Sequence, residues 1–281
     1  MSNKNTLEAN ITVHSALANA GEYDKSPHFR EENKAKVFNV LKNLISKTPS
    51  KDKTIALDMG CGTGFILHML SPIVEHVHGV DITDDMMKHV DLSMGNISLK
   101  NSVAEKTGFD SDSFDLVTAY SFLDHLEDYK KVLEEAFRVL KAGGIFYSDL
   151  NPNRDFAYLM KDIESSHPND QELSFSISRE IKGMLHNGAY YEENFGIDED
   201  VLIQAEPQKS YKNGFEFNEV KEAAYSIGFK EVNIEFDWFL GQGVLMNSDT
   251  SVDLSTINTY LQEMLPATKH LYKYLRFVFV K

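Results

Sequence analysis

The chain is poor in cysteine, short of basic residues relative to acidic ones, and free of long apolar runs. A single cysteine among 281 residues excludes an intramolecular disulfide and a CxxC metal knuckle, and it suits a reducing compartment. Lys and Arg number 28 against 43 Asp and Glu, a net charge of −15. That balance argues against a nucleic-acid partner, because affinity for a phosphate backbone comes mostly from Lys and Arg displacing counterions. No stretch approaches the roughly 18 consecutive apolar residues of a membrane span. The opening MSNKNTLEANITVHSALANA has no apolar core of signal-peptide length. A cytoplasmic protein acting on a neutral or cationic small molecule is therefore expected, with neither membrane nor nucleic acid as a partner. What is present is ordinary for a globular chain: 42% hydrophobic and 25% charged residues, both signs interspersed, and no repeat at solenoid periods.

In REENKAKVFNVLKNLISK, the residues Val37, Phe38, Leu41, Leu44 and Ile45 sit at helical spacing, so a helix precedes the first strand. TIALDM reads as a buried strand, GCGTG as a turn and FILHML as a helix. HVHGVD is a second strand, and Thr83, Asp84 and Asp85 are cap and dipole residues for a helix after it. SFDLVTAY is a further strand. YKKVLEEAFRVL follows as a helix with Tyr129, Val132, Leu133, Ala136, Phe137 and Leu140 on one face, ended by KAGG before the strand IFYSDL. Strands alternating with amphipathic helices predict a doubly wound α/β fold, whose ligands bind at the carboxyl ends of the strands. After Leu150 the rhythm breaks into turn-rich, aromatic sequence. The expected organisation is residues 1–150 as lid helices and cofactor-binding core, 151–213 as an inserted substrate cap, and 214–281 as the rest of the core sheet. FNEVKEAAYSIGF is a helix, and KEVNIEFDWF and LYKYLRFVFV form an antiparallel pair. The apolar ending suits an internal strand better than an edge that pairs with a second chain.

Chemistry concentrates at ALDMGCGTG. Gly60, Gly62 and Gly64 allow a tight turn and close backbone approach to a ligand. The spacing is G-x-G-x-G, and Phe65 stands where dinucleotide folds place a third glycine. Asp58, at the strand end, repels a pyrophosphate and attracts an ammonium. Asp81 ends the second strand, the position from which a carboxylate accepts hydrogen bonds from ribose hydroxyls. An ammonium and a ribose together suggest S-adenosylmethionine.

These runs, with SFDLVTAYSFLDHLEDYKKVLEEAFRVLKAGGIFYSDL, resemble a class I S-adenosylmethionine-dependent methyltransferase of the small-molecule type. The resemblance covers residues 54–150 and returns in GFEFNEVKEAAYSIGFKEVNIE. It implies a Rossmann-like, mostly parallel seven-stranded sheet with an inserted cap. It also implies that Asp58, Gly60, Cys61, Gly62 and Gly64 surround the methionine moiety, that Asp81 and Ile82 hold the ribose and the adenine edge, and that Ala104 and Glu105 flank the adenine. Tyr23, in GEYDKSPHF, is placed near the methionine carboxylate, and the loop from Tyr120 to His125 borders cofactor and substrate. The family usually has D-A-E where this chain has VAE, so Val103 replaces an acid that commonly accepts from the adenine amino group; Ser102, Glu105 or a backbone carbonyl are substitutes.

His125 is the candidate catalytic base, with capping of the helix over 127–140 as its competitor; His14, His28, His167 and His186 rank below it. Cys61 has no base beside it and suits a crowded turn better than nucleophilic attack. His76 and His78 point the same way from one strand but lack a third metal ligand, and DSDSFD lacks the glycine of a calcium loop, so no metal site is expected. Tyr190, Tyr191, Phe195 and Tyr211 line a pocket or hold the cap together. The expected reaction is methyl transfer to a small-molecule acceptor, at oxygen by preference, by in-line attack on the sulfonium methyl with release of S-adenosylhomocysteine. Two alternatives stand beside it: a non-catalytic cofactor-binding protein acting through a partner, and an NAD-dependent dehydrogenase.

Overall fold

The structure, a computed structural model, describes residues 2–21, 31–167, 173–246 and 252–281. Seven strands, β1 (Ile55–Met59), β2 (His76–Asp81), β3 (Ile97–Asn101), β4 (Phe114–Tyr120), β5 (Leu140–Pro152), β6 (Glu231–Phe239) and β7 (Tyr272–Val280), form one sheet. Their order is β3-β2-β1-β4-β5-β7-β6. The first five are parallel to one another, and β7 runs antiparallel to both β5 and β6. This is the expected doubly wound sheet, closed by the expected antiparallel pair.

The sheet is buried on both faces, as the alternation of side chains requires. Leu57, Met59, Val117, Ala119 and Phe146 face one layer, containing Val132, Leu133 and Ala136 of α5 (Tyr129–Val139) and Val220 and Ala224 of α11 (Phe217–Ile227). Ala56, Leu116, Ile145 and Tyr147 face the other, with Val37, Leu41 and Leu44 of α2 (Glu31–Ile45) and Ile66, Leu67 and Leu70 of α3 (Phe65–Leu70). Leu140, expected on the face of α5, instead opens β5: its ψ of 139° is extended, and the Lys141–Gly144 segment is taken up by an irregularity in the β4–β5 ladder.

The segment after β5 is more regular than its sequence suggests. It folds as α6 (Arg154–Ser166), α7 (Phe175–Leu185), α8 (Asn187–Phe195), α9 (Glu199–Ala205) and α10 (Pro207–Ser210). Residues that read as turn formers are N-caps: Asn153 accepts from the Asp155 amide, Ser174 from Ile177 and Asp198 from Asp200. Ahead of the sheet, α1 (Ser2–Asn19) lays Ala9, Val13 and Leu17 against Ile197, Leu202 and Ala205. This apolar cluster is separate from the two layers on the sheet.

A buried charge network joins the late strands to the body. Arg276 of β7 donates to Asp149 of β5 at 2.8 Å and to Asp237 of β6 at 2.6 Å, while Lys36 of α2 pairs with Asp237. Removing one partner from such a network leaves an uncompensated buried charge and costs about 3–5 kcal/mol.

Candidate active site

At the carboxyl ends of β1, β2 and β4 lies a cavity of about 860 Å³, within the range of roughly 300–1,000 Å³ typical of small-molecule sites. Its floor is built from the sheet. The register sets Asp58 beside Gly79 on one flank and Thr118 on the other. The amides of Gly60 and Cys61 both donate to the Val80 carbonyl, which folds the turn back over β2. Gly60 sits at φ +72°, and a β-carbon there would lie 2.2 Å from the Phe122 ring, so only glycine fits. Gly64, at φ +92°, is the N-cap residue of α3.

Two carboxylates sit on this floor. Asp58 is buried and accepts from the Thr118 hydroxyl at 2.6 Å. Burial pushes its carboxyl up to about 7 against the pull of Thr118, and Asp81 adds to the rise. Asp81 accepts from the Gly62 amide at 2.9 Å through one oxygen and from the Thr83 amide at 2.8 Å through the other. Burial raises it too, although those amides oppose the rise.

Ile82, Ala104, Glu105, Cys61 and Tyr120 line the same cavity. Tyr120 accepts at its hydroxyl from Asn33 and packs against Phe65. Burial, with Asp58 and Asp81 beside it, pushes the Cys61 thiol well up, which keeps it unreactive. Ser102 lines the cavity beside Ala104 and Glu105, while Val103 is 36% exposed. Tyr23 and His28 lie outside the described residues. His76 bonds Ser98 and His78 packs against Phe109 and Phe114. The DSDSFD stretch turns at Asp112 into β4, where Asp115 is buried against Lys141.

The roof comes from α1 and the inserted helices. Asn10 and His14 reach the cavity from α1, and Tyr190, Tyr191 and Phe195 from α8. Tyr191 and Phe195 also pack against the α1–α9 cluster, so they line the pocket and hold the roof together. Tyr211 is 62% exposed and away from this cavity. The His14 and His125 rings meet edge to face with centroids 4.7 Å apart. Burial pushes the His14 imidazole well below its usual range, and His125 pushes it further, so His14 is neutral. The loop after β4 is clamped from above: Asn10 donates to the His125 carbonyl, Gln208 donates to the carbonyls of Leu126 and Glu127, and His125 Nδ1 meets the Ala205 carbonyl. Capping of α5 falls to Asp128, which accepts from the Lys130 amide, and not to His125.

Among the described residues the lining has five carboxylates, Asp58, Asp81, Glu105, Glu127 and Glu206, and no Lys or Arg. A buried acid held near neutral for want of a counter-cation fits a ligand that brings positive charge, and Asp81 fits a vicinal diol.

This sheet order, with a glycine turn after β1 and an acid ending β2, is the Rossmann-like fold that S-adenosylmethionine-dependent methyltransferases share. Residues 57–148 match the family model described as a methyltransferase domain. The "Uncharacterized methyltransferase YcgJ" of Bacillus subtilis (strain 168) is 31% identical over 143 residues, 47% of this chain and 56% of that one. The chain thus spans just over half the length of that relative. A "Ubiquinone biosynthesis O-methyltransferase" of Hydrogenovibrio crunogenus is 24% identical over 218 residues, 72% of this chain and 88% of that one. A crystal structure of a SAM-dependent methyltransferase from Archaeoglobus fulgidus shares the fold at a TM-score of 0.52 and 19% identity, over 88% of this chain and 94% of that one. Among the described residues no helix is long and apolar enough to cross a membrane.

Asn10, His14, Asp124 and Glu206 are site-region residues that pattern reading ranks low or misses. The only signal for the first two is the spacing of Ala9, Val13 and Leu17, which marks an amphipathic α1.

Proposed function

We propose that the protein transfers the methyl group of S-adenosylmethionine to an uncharged small molecule, at a hydroxyl oxygen. The observation that carries this reading is one cavity with carboxylates at the sheet end, two imidazoles at the roof end and no Lys or Arg among its described lining residues. In this reading Asp58 holds the cofactor's ammonium and Asp81 its ribose. Gly60, Cys61, Gly62 and Gly64 wrap its methionine part, and Ile82, Ala104 and Glu105 flank its adenine. Tyr120 borders both ligands, and residues 151–213 select the acceptor. When bound, the cofactor supplies a methyl already activated on a sulfonium, and the C–S electron pair stays with sulfur as the acceptor oxygen takes the methyl.

The chain's own work is then to align two ligands, exclude water and receive a proton. Alignment can contribute on the order of 7–11 kcal/mol. A hydroxyl keeps its proton near neutral pH, so transfer to oxygen calls for a base, and His125 is the residue assigned that part. The Hydrogenovibrio relative, described as an O-methyltransferase, supports oxygen as the target.

Titration calorimetry with S-adenosylmethionine, S-adenosylhomocysteine and NAD tests the cofactor, and release of S-adenosylhomocysteine against phenols, alcohols and amines tests the acceptor. Binding of the first two with turnover of a hydroxyl compound is the expected result. Preference for NAD sinks the reading, and cofactor binding with no turnover of any acceptor class favours a binding protein that works through a partner.

A further inference from the structure

The upper half of the cavity differs in chemistry from its floor. One face of α1 lies along it: Leu7, Asn10, His14 and Leu17, with Val13 beside them, recur at helical spacing in the lining. Asn10 already donates to the His125 carbonyl at 3.0 Å, and His14 packs on the His125 ring. What this face offers a guest is therefore Leu7, Val13 and Leu17. From α8 come Tyr190, Tyr191 and Phe195. The Tyr190 ring centroid lies 5.8 Å from that of Tyr191 and 6.0 Å from that of Phe195, and the latter two are 5.6 Å apart, at interplanar angles of 80°, 73° and 55°. No pair among them is a parallel stack, so a planar guest can add an offset-stacked or edge-on ring to the group.

Charge and length narrow the guest further. In the proposed binding mode Asp58, Asp81 and Glu105 serve the cofactor, and Glu206 is neutralised by Lys209 at 2.9 Å. That leaves Glu127 as the one described lining carboxylate for a cationic guest, and no described Lys or Arg for an anionic one. An uncharged guest meets the aromatic rings of α8 and the aliphatic face of α1. The stretch of α1 from Leu7 to Leu17 is about 15 Å long, more than the width of one aromatic ring. Leu7 and Tyr190 line the cavity yet are 36% and 53% exposed, so the cavity opens to solvent beside them.

We propose that the methyl acceptor is a phenol: an uncharged aromatic ring that bears the reacting hydroxyl and an apolar substituent, held between α1 and α8 with the substituent leaving past Leu7 and Tyr190. This rests on the reading of methyl transfer to oxygen. A phenol suits that reaction, because it ionises at about pH 10, as tyrosine does, whereas an aliphatic alcohol holds its proton far more tightly. The phenol oxygen's electron pair takes the methyl, the C–S pair stays with sulfur, and the hydroxyl proton goes to the base of the reaction.

The test is calorimetry of the full chain, with and without S-adenosylhomocysteine, against para-butylphenol, para-butylcyclohexanol and para-butylbenzylamine. The cyclohexanol matches the phenol in length and hydroxyl and lacks only the aromatic ring. The phenol is expected to bind about tenfold more tightly than either of the others. Tyr190→Ala weakens the phenol about fivefold and the cyclohexanol less than about twofold, Tyr190→Phe keeps the phenol affinity, and affinity for S-adenosylmethionine holds in both variants. Equal affinity for phenol and cyclohexanol, tighter binding of the amine, or a phenol affinity unmoved by Tyr190→Ala each overturns the proposal. If the alanine variant does not fold, the wild-type ranking decides alone. Release of S-adenosylhomocysteine from S-adenosylmethionine is read separately. Phenol binding with this ranking but no release sinks methyl transfer and leaves the aromatic site standing, whereas release with the cyclohexanol or the amine and none with the phenol sinks the phenol and leaves methyl transfer standing.

Discussion

The floor and the roof of the cavity are built by different physics. The floor is sheet: Asp58, the glycine turn and Asp81 are placed by parallel ladders and by amides donating to Val80 and Asp81, and they cannot shift without breaking the main core. The roof is a small apolar cluster between α1 and α9, closed on the β4 loop by Asn10, Gln208 and His125. Local stability follows the contacts that must be broken. The floor is therefore expected to open only when the domain unfolds, whereas the roof can open by itself, giving a rigid floor under a separable cover.

The sharpest way to break the comparison is Gly60→Ala. It places a β-carbon on the Phe122 ring at a left-handed backbone position, and a loss of about 3 kcal/mol in global stability is expected by thermal denaturation. Asp81→Ala comes next: losing an acceptor of two hydrogen bonds weakens S-adenosylmethionine binding about a hundredfold by calorimetry, with the sheet still folded. Leu202→Ala probes the roof, where the buried leucine loses packing worth about 2–4 kcal/mol. Hydrogen exchange in α1 and α9 is expected to speed up while β1, β2 and β4 keep their protection; equal loosening of floor and roof refutes the division.

The smallest effect is the pH dependence carried by Asp58. Its folded value is raised to about 7, so burial of its charge is a penalty that is absent below its ordinary value, grows as pH rises and is complete above about 7. Asp58→Asn should therefore raise the melting temperature of the ligand-free protein most at pH about 8 and least near pH about 5. A ligand cation needs the charged carboxylate, so cofactor affinity falls about tenfold between pH about 7.5 and about 6 in the wild type and stays flat in the variant.

The floor is legible in sequence because its parts are neighbours in sequence. Strand, glycine turn, helix and the acid of the next strand lie within residues 54–81 and follow local rules of period and turn chemistry. The inserted helices are not, because their caps are the same Asn, Ser and Asp residues that form turns elsewhere, and only packing against α1 tells the two uses apart. Asp124 in SFLDHLED resembles any solvated acid ahead of a helix; in the fold it is buried and faces the charges of Glu206 and Lys209, far along the chain. The role of His14 is equally invisible until α1 is laid over the β4 loop.

The last strand in sequence is not the last in space. β7 lies between β5 and β6, and β6 meets the sheet only through it. A ribosome can therefore finish the parallel half of the sheet early, while β6 waits without a partner until residues 272–280 have emerged. During that interval the apolar edge of β5 is exposed, a hazard characteristic of domains whose final strand is internal. A premature stop within β7 would leave the glycine turn and its acids intact on a nascent chain that has two unpaired edges, a form suited to aggregation or to capture by a chaperone.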